Sequence, residues 1–468
     1  MGSRRPVHPY IPNSVPAVKD EMLREIGVAS AEELYAQMIP ERLRLRRRME
    51  LPEPLPAELD LRRHVEGILS KDRTCSDYLS FLGGGCWQHF VPEVCDEIIG
   101  RSEFLTAYAG GPYSDLGRFQ AVFEFQSMIC ELVGMEVSGA PTYDWGSAAG
   151  NAVRMASRIT GRREILVPRN ISQARLSIIS NFCNPTTTGD RIFVKQVDYD
   201  PEKAILDLGD LEAKISDRTA CVYFESPSYL GVIETQGEKI SEVAHDHGAE
   251  SVVGIDPISL GVLAPPSDYG ADIVCGEVQP LGIHMHAGGG LSGFIASRDE
   301  EGYVGEYPLR LISVTDTAKE GEYGFGQCRY ERTSYIAREK AKDWVGTTTA
   351  LWAIAAAVYM SLMGPEGMRE VGESIIQRSH YAAKRLSEIE GVRVPFDGFF
   401  KEFPVDFGAT GRTVAEVNHG LLEHEIFGGR DISAEFPELG QLALYSVTEV
   451  HAQSDLDRLA STLREVLA

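Results

Sequence analysis

Residues 135–310 alternate short β-branched runs with longer helical patterns, and this alternation is the feature that most constrains the fold. The runs that predict strands are Ile165–Val167, Arg191–Val194, Ala220–Phe224, Ser251–Val253, Ile273–Val274 and Gly293–Ala296. Helical patterns separate them, among them Ala148–Thr160, Gln173–Cys183, Asp210–Ile215 and Gly237–His247. Parallel strands joined by helices form a doubly wound α/β sheet, which binds ligands at the carboxyl ends of its strands.

The segments on either side of this region differ from it in pattern, and they divide the chain into three parts. Residues 1–60 are predicted to form an N-terminal arm, in which Pro16 starts a short helix that Gly27 ends and Ser30 begins a capping box. Residues 61–345 are predicted to form the large α/β domain. Residues 346–468 are predicted to hold a long core helix and a smaller α+β domain.

The long apolar run Val345–Met363 is of borderline length for a membrane span. It is rich in Thr, Ala and Gly, and Gly364 with Pro365 stops it, so a buried core helix is the better interpretation. The patterns that follow predict a small domain of helices on a sheet. They are a helix over Gly367–Glu390, strands over Val392–Val394 and Lys401–Val405, a helix over Thr413–Glu425, a strand over Gln441–Ser446 and a helix over Ala452–Leu467.

Composition excludes some classes of function. The chain has 468 residues and carries 69 acidic against 45 basic side chains, a formal net charge of −24, which repels phosphate backbones and argues against nucleic-acid binding. Its eight cysteines form no C-x-x-C pair, which favours reduced thiols over a disulfide framework. No apolar signal segment follows the basic start. These features predict a cytoplasmic enzyme without a membrane partner.

An acid and a later turn suggest a cofactor site at the carboxyl edge of the sheet. Asp256 ends the apolar run Ser251–Ile255, and the stretch Asp272–Gly290 leads from a strand through a polar turn into three glycines. In many pyridoxal-phosphate (PLP) enzymes such an acid pairs with the pyridine nitrogen, and a lysine in the later turn forms a Schiff base with the aldehyde. The turn here contains no lysine.

The segment Tyr143–Ala152 precedes a predicted helix and offers a second element of such a site. The free N–H groups at the helix start, together with Ser147, would hold a phosphate, and Gly146 would let it approach closely. An ordinary helix N-cap has the same pattern. Both interpretations stay open at this point.

Two histidines, His284 and His286, would lie on one face of an extended segment, as metal ligands do. No third ligand is evident nearby, so a metal is not predicted. A role toward an anion or a substrate carboxylate and a structural hydrogen bond both remain open.

Several stretches together resemble the glycine cleavage system P-protein family, and within it subunit 1 of the two-subunit form. They are His8–Asn13, Ile39–Leu45, Ser80–Gly85, Arg101–Tyr108, Phe123–Met135, Asp256–Gly261, Gly276–Ile283 and Ile336–Ala341. The resemblance runs in order from the N-terminal arm to about residue 365 and is looser in the C-terminal domain.

The resemblance implies a fold-type I, aspartate aminotransferase-like large domain and a small C-terminal α+β domain. It implies glycine decarboxylation, with CO2 release and transfer of the aminomethyl group to the lipoyl arm of H-protein, and PLP as the electron sink. Pro280 stands where subunit 2 carries its lysine, so PLP is expected to be anchored by that partner in an α2β2 assembly. The candidate catalytic residues are His284, His286 and Tyr108, and the candidate cofactor-binding residues are Trp145, Gly146, Ser147, Asp256 and Gln279.

The chain also departs from the family pattern, chiefly in loops near the expected site. Trp145 replaces a glycine, and His284–His286 replaces the family's Pro-Leu-Ser. Two alternatives therefore stand beside the glycine decarboxylase hypothesis. One is a paralogous two-subunit PLP enzyme acting on another amine or amino acid, and the other is a non-catalytic structural or regulatory subunit.

Overall fold

The computed structural model describes residues 11, 15–47, 49–105, 116–184, 191–328, 342–343 and 345–468. Residues 1–72 and 73–468 form two compact units. The first contains helices α1 (Pro16–Ile26), α2 (Ala31–Met38) and α3 (Glu58–Leu69). Gly27 ends α1 in the left-handed conformation and the Ser30 side chain accepts from Glu33 N, which confirms both predicted boundaries.

The second unit is built on a sheet whose described strands number seven, in the order β2-β8-β7-β6-β5-β3-β4. Their bounds are β2 Val137–Ser138, β3 Glu164–Pro168, β4 Phe193–Val197, β5 Thr219–Glu225, β6 Glu250–Ile255, β7 Ile273–Glu277 and β8 Gly293–Ser297. Strands β4, β3, β5, β6 and β7 are parallel, while β8 and β2 are antiparallel to their neighbours. The predicted parallel core of the sheet is confirmed.

Helices cover both faces of this sheet because successive apolar side chains of each strand point to opposite faces. On one face, Ile165 and Val167 pack in a core with α7 (Trp145–Thr160) and α8 (Gln173–Cys183). On the other face, Leu166 packs in a second core. That core also receives side chains of α4 (Glu93–Ile99), α6 (Leu116–Val133), α10 (Gly237–Asp246) and α12 (Ala350–Ser387).

Smaller elements complete the α/β part of the chain. They are α5 (Ser102–Leu105), α9 (Leu208–Lys214), α11 (Glu301–Val304) and the antiparallel pair β9 (Ile312–Asp316) and β10 (Tyr323–Gln327). Strand β1 (Leu79–Ser80) instead pairs in parallel with Ile426–Phe427 of the C-terminal part. The first half of α12 is buried, as predicted for a core helix. Gly364 is non-helical at φ 59°, ψ −177°, and Pro365 follows it, so the helix is kinked there. Within the described residues, no helix has the length and apolar composition needed to cross a membrane.

The C-terminal part carries a small antiparallel sheet in the order β11-β14-β13. The elements of this C-terminal part are β11 (Glu402–Asp406), α13 (Val414–Glu423), β12 (Ile426–Phe427), β13 (Arg430–Asp431), β14 (Leu442–Ser446) and α14 (Gln453–Leu467). The strand predicted over Val392–Val394 is wrong, since Arg393 forms only an isolated bridge to Asp406. Pro395 follows at once, and its missing N–H prevents a longer ladder.

Candidate functional site

A small, partly open cavity lies at the carboxyl ends of β5 and β6, where a doubly wound sheet binds its ligands. Glu225 ends β5 and Asp256 follows β6, and both line the cavity. Trp145 lines it from the start of α7, and Lys401 lines it from the residue before β11. Its volume of about 20 Å³ is enough for about one water molecule.

Asp256 has a cationic partner within the chain. Its Oδ2 lies 2.7 Å from Lys401 Nζ, and both side chains are almost completely buried, at 5% and 3% exposure. Its Oδ1 accepts a hydrogen bond from Ile258 N at 3.2 Å and so caps the short 3₁₀ helix Pro257–Gly261. Asp256 therefore has an ion-pair partner at Oδ2 and a hydrogen-bond donor at Oδ1, while Oδ2 itself accepts no hydrogen bond.

The Lys401 ammonium group is the first member of a buried series of side-chain contacts. Its Nζ lies 3.1 Å from His89 Nε2 and 3.5 Å from the ring centroid of Trp87, a cation–π contact. Because an ammonium group can only donate, His89 Nε2 accepts and His89 Nδ1 donates to Glu449 Oε2 at 2.8 Å. Burial raises the pKa of Glu449, but His89 and the backbone N–H of Phe90 outweigh it and lower that pKa to about 2.

Carboxyl oxygens already accept from the start of α7. Asp144 Oδ1 accepts from Ser147 N at 2.6 Å, and Ser147 Oγ accepts in return from Asp144 N at 3.0 Å, which is a complete capping box. Glu277, at the end of β7, accepts from Trp145 N at 3.0 Å. Its other oxygen accepts from Ser292 N at 2.7 Å. Burial raises the pKa of Glu277 to about 8, although these N–H donors oppose that rise.

The Trp145 indole fills space between the start of α7 and the sheet. Its Nε1 donates to Tyr223 Oη at 3.1 Å, and the Arg175 guanidinium lies 3.7 Å from its ring centroid. Arg175 in turn forms a buried ion pair with Glu225, Nη1 to Oε2 at 2.6 Å. A Cβ at Gly254 would come within 2.9 Å of the indole nitrogen, so glycine in β6 makes room for the indole.

Gln279 holds a loop in place through its whole amide group. Its Oε1 accepts from Trp87 N at 3.0 Å, and its Nε2 donates to Trp87 O at 3.0 Å and to Ile283 O at 2.9 Å. The neighbouring Pro280 is buried. Gln279 thus positions the tryptophan whose ring contacts Lys401.

The two predicted histidines lie in an exposed loop. His284 Nε2 lies 2.9 Å from Asp96 Oδ2, with the two side chains 50% and 44% exposed. The His286 ring stacks on Trp352 at 5.3 Å between centroids. His286 and Ala287 have φ of 43° and 55°, a left-handed conformation that is unfavourable for residues with a Cβ. Among the described residues, no group of three or more His, Cys, Asp or Glu side chains is arranged to hold a metal.

The structure brings some of the predicted site residues together and separates others. Trp145 and Asp256 line one cavity, and Gln279 holds Trp87 at the same cavity. Gly146 lies in the first turn of α7, where a Cβ would come within 2.6 Å of Ile178 Cδ1. The histidines are exposed outside this group, and Tyr108 lies outside the described residues.

Sequence reasoning missed several residues that decide the character of the site: Trp87, His89, Arg175, Glu225, Glu277, Lys401 and Glu449. Two of them carried a usable signal. Glu225 directly follows the predicted strand Ala220–Phe224, and Glu277 lies three residues after the predicted strand Ile273–Val274, before the polar turn. The position of Lys401 carried none, because it depends on how the small sheet packs.

Comparison with known proteins first defines the class of the fold. A sphingosine-1-phosphate lyase from Burkholderia pseudomallei matches with a TM-score of 0.64 at 14% identity, over 92% of this chain and 94% of that one. A crystal structure of glycine decarboxylase (P-protein) of the glycine cleavage system, in inhibitor-bound form, matches with a TM-score of 0.83 at 34% identity, over 98% and 100%. The large domain has the fold-type I architecture, as predicted.

The family follows from the sequence matches. The model of the glycine cleavage system P-protein family matches residues 8–463. A probable glycine dehydrogenase (decarboxylating) subunit 1 from Staphylothermus marinus is 38% identical over 98% of both chains. A protein of the same description from Pyrococcus furiosus is 39% identical over 98% of this chain and 99% of its own. The chain belongs to the glycine cleavage system P-protein family.

Membership of this family implies PLP as the cofactor, but the residues of this chain do not fit it. The sequence has no lysine between Lys239 and Lys319, so the turn after β7 offers no amine for a Schiff base. Carboxyl oxygens accept from the N–H groups of Trp145 and Ser147, which a phosphate would need. Lys401 pairs with the acid that a pyridine nitrogen would need, and the remaining cavity holds about one water molecule.

Proposed function

We propose that this chain is subunit 1 of a two-subunit glycine decarboxylase and that a homologous subunit 2 carries the PLP. The relatives that match it along almost their whole length are described as subunit 1 of such an enzyme. The observation that carries the proposal is the site around Asp256: the turn after β7 has no lysine to anchor PLP, and the cavity has no room for the cofactor. A chain of this family with such a site needs a partner for the chemistry.

In the proposed assembly, two copies of each subunit form an α2β2 complex. The complex decarboxylates glycine and passes the aminomethyl group to the lipoyl arm of H-protein. Within it, the exposed loop of His284 and His286 acts toward the partner's site rather than toward this chain's own cavity. Two features support that role: both imidazoles are accessible, and the backbone at His286 and Ala287 is held in an unfavourable conformation. Tyr108 is proposed to act with them.

Co-expression with a subunit 2-like chain that contains a His-Lys-Thr motif tests the proposal. We expect the purified complex to show the visible absorbance of protein-bound PLP, and this chain alone to lack it. With H-protein present, the complex should exchange the carboxyl group of glycine with labelled bicarbonate. Each subunit alone, with H-protein, is the matched control.

The possible outcomes separate the hypotheses. PLP absorbance in the isolated chain would contradict the assignment of the cofactor to the partner. Exchange that depends on another small amino acid, and not on glycine, would favour a paralogous enzyme. Full exchange by subunit 2 alone would favour a structural or regulatory role for this chain.

A further inference from the structure

The two ends of the site around Asp256 share one feature: the chain itself occupies the polar groups that a cofactor would meet. At one end, a buried ammonium group lies 2.7 Å from the acid. At the other, carboxyl oxygens accept from the helix-start N–H groups at 2.6 Å and 3.0 Å. An ammonium and a pyridinium are both cationic donors, and carboxyl and phosphate oxygens are both acceptors. The chain thus supplies a cationic donor beside Asp256, as the cofactor's ring nitrogen would. It also supplies acceptor oxygens at the start of α7, as the cofactor's phosphate would.

The centre of the site is occupied in the same way. The Trp145 indole lies between β6 and the Arg175 guanidinium, which stacks on it and pairs with Glu225. Arg175 and Lys401 are the cations among the described residues that line the cavity, and each has a buried carboxylate of this chain as its partner. Neither is available to an incoming anion without breaking a buried ion pair.

The occupied site also joins distant parts of the sequence. Asp256 follows β6 of the large sheet, while Lys401 directly precedes β11 of the small one. His89 belongs to the loop before α4, and Glu449, which ends the chain of contacts, precedes α14. Removing one partner of such a buried chain leaves the other charge without compensation, so each member matters for the whole.

We propose that this chain has filled its own cofactor site with its own side chains and uses it as a structural lock. Lys401 takes the place of a ring nitrogen beside Asp256, carboxyl oxygens of Asp144 and Glu277 take the place of phosphate oxygens at the start of α7, and the lock fastens the small sheet to the large one. The identity of the displaced cofactor rests on the proposed function.

A double-mutant cycle on the full chain tests the lock. Lys401→Met leaves a buried carboxylate unpaired and Asp256→Asn leaves a buried ammonium unpaired, so each should lower the melting temperature by about 5–10 °C. The double variant leaves neither charge, so its loss should be smaller than half of the sum of the two single losses. Additive losses would overturn the proposal. If Lys401→Met does not fold, Lys401→Gln makes the same comparison more mildly, with the charge-keeping Lys401→Arg as its control.

Chemical rescue gives a second, independent test. Lys401→Ala removes the side chain beyond Cβ, and propylammonium chloride supplies the missing atoms. We expect it to raise the melting temperature of Lys401→Ala, while 1-propanol and sodium chloride at equal concentrations do not. Wild type and the Asp256→Asn/Lys401→Ala double variant should not respond to propylammonium. An equal rise in all of these proteins would show a general salt effect and overturn the specific role of Lys401.

PLP itself provides the opposing probe. A filled site predicts that neither PLP nor inorganic phosphate raises the melting temperature of the isolated chain. A saturable rise, or borohydride-fixed PLP on Lys401, would show an open site and overturn the proposal. These measurements need neither partner nor turnover. Lack of glycine exchange would therefore contradict the proposed function but not the structural lock. Additive losses in the double-mutant cycle would contradict the lock but not the proposed function.

Discussion

Two parts of one short stretch, Asp272–Gly290, behave in opposite ways. Its first part ends a buried strand and is completely satisfied by the chain itself: Glu277 accepts from three backbone N–H groups, and Gln279 uses its whole amide. Its second part, from His284 onward, is exposed and bends through two residues of positive φ. Substitutions in the buried part should therefore lower the free energy of unfolding, whereas substitutions in the exposed part should change it little.

This difference indicates where each kind of function resides. Buried polar groups whose hydrogen bonds are all internal specify the fold and have nothing left to offer a ligand. Strained and exposed polar groups are held by the surrounding structure for use elsewhere. In this chain, Glu277 and the predicted cofactor-binding residue Gln279 belong to the first kind, and the loop of His284 and His286 belongs to the second. Of the departures from the family pattern, Trp145 is buried, whereas His284 and His286 are exposed.

The largest effect on stability is expected at Glu277. Glu277→Ala leaves the N–H groups of Trp145, Gln279 and Ser292 without their buried acceptor, which should lower the free energy of unfolding by about 3–5 kcal/mol. Urea denaturation of the isolated chain measures this. Glu97→Ala, at an exposed glutamate of α4, is the matched control and should change it by less than about 0.5 kcal/mol. Equal effects of the two substitutions would contradict the claim that the buried hydrogen bonds of Glu277 stabilise the fold more than an exposed glutamate does.

A somewhat smaller effect depends on pH and concerns Glu449. Its pKa is about 2 in the folded chain, against a reference value of 4.5. A depressed pKa adds stability above the unfolded value, and that stability is lost as the pH falls from about 4.5 toward 2. The contribution is at most about 3 kcal/mol. Unfolding of wild type and Glu449→Gln should therefore differ most at pH 7 and converge below pH 4.5. A constant difference would contradict the link between His89 and Glu449.

Sequence patterns predicted the large sheet well because its strands alternate buried faces within a few residues. Asp256 could be placed at the edge of the sheet for the same reason, since it directly follows the apolar run Ser251–Ile255. Lys401 could not be paired with it, because 145 residues separate them and no local pattern encodes the packing of the small sheet. The indole of Trp145 was noticed as a departure, but its role as a filler depends on Gly254 and Arg175 from two other elements.

The smallest effect on stability and the most selective effect on activity are expected in the histidine loop. His284→Ala removes an exposed ion pair with Asp96, so the free energy of unfolding should fall by less than about 1 kcal/mol. With subunit 2 and H-protein present, His284→Ala and His286→Ala should each lower kcat for glycine exchange about 10-fold or more if the imidazoles act in proton transfer. The complex should stay intact by size-exclusion chromatography.

A substitution that keeps both imidazoles tests whether the loop acts through its histidine side chains or through its backbone conformation. Ala287→Gly relieves the positive φ of 55° without touching either ring. It should leave stability unchanged or slightly raised, and kcat should stay within about 3-fold of wild type if the imidazoles matter more than the strain that holds them. A loss of kcat in Ala287→Gly as large as in His286→Ala would assign the loop's role to its conformation. Normal activity in both histidine variants would reduce the loop to an exposed surface and leave the filled interior site as this chain's main distinction.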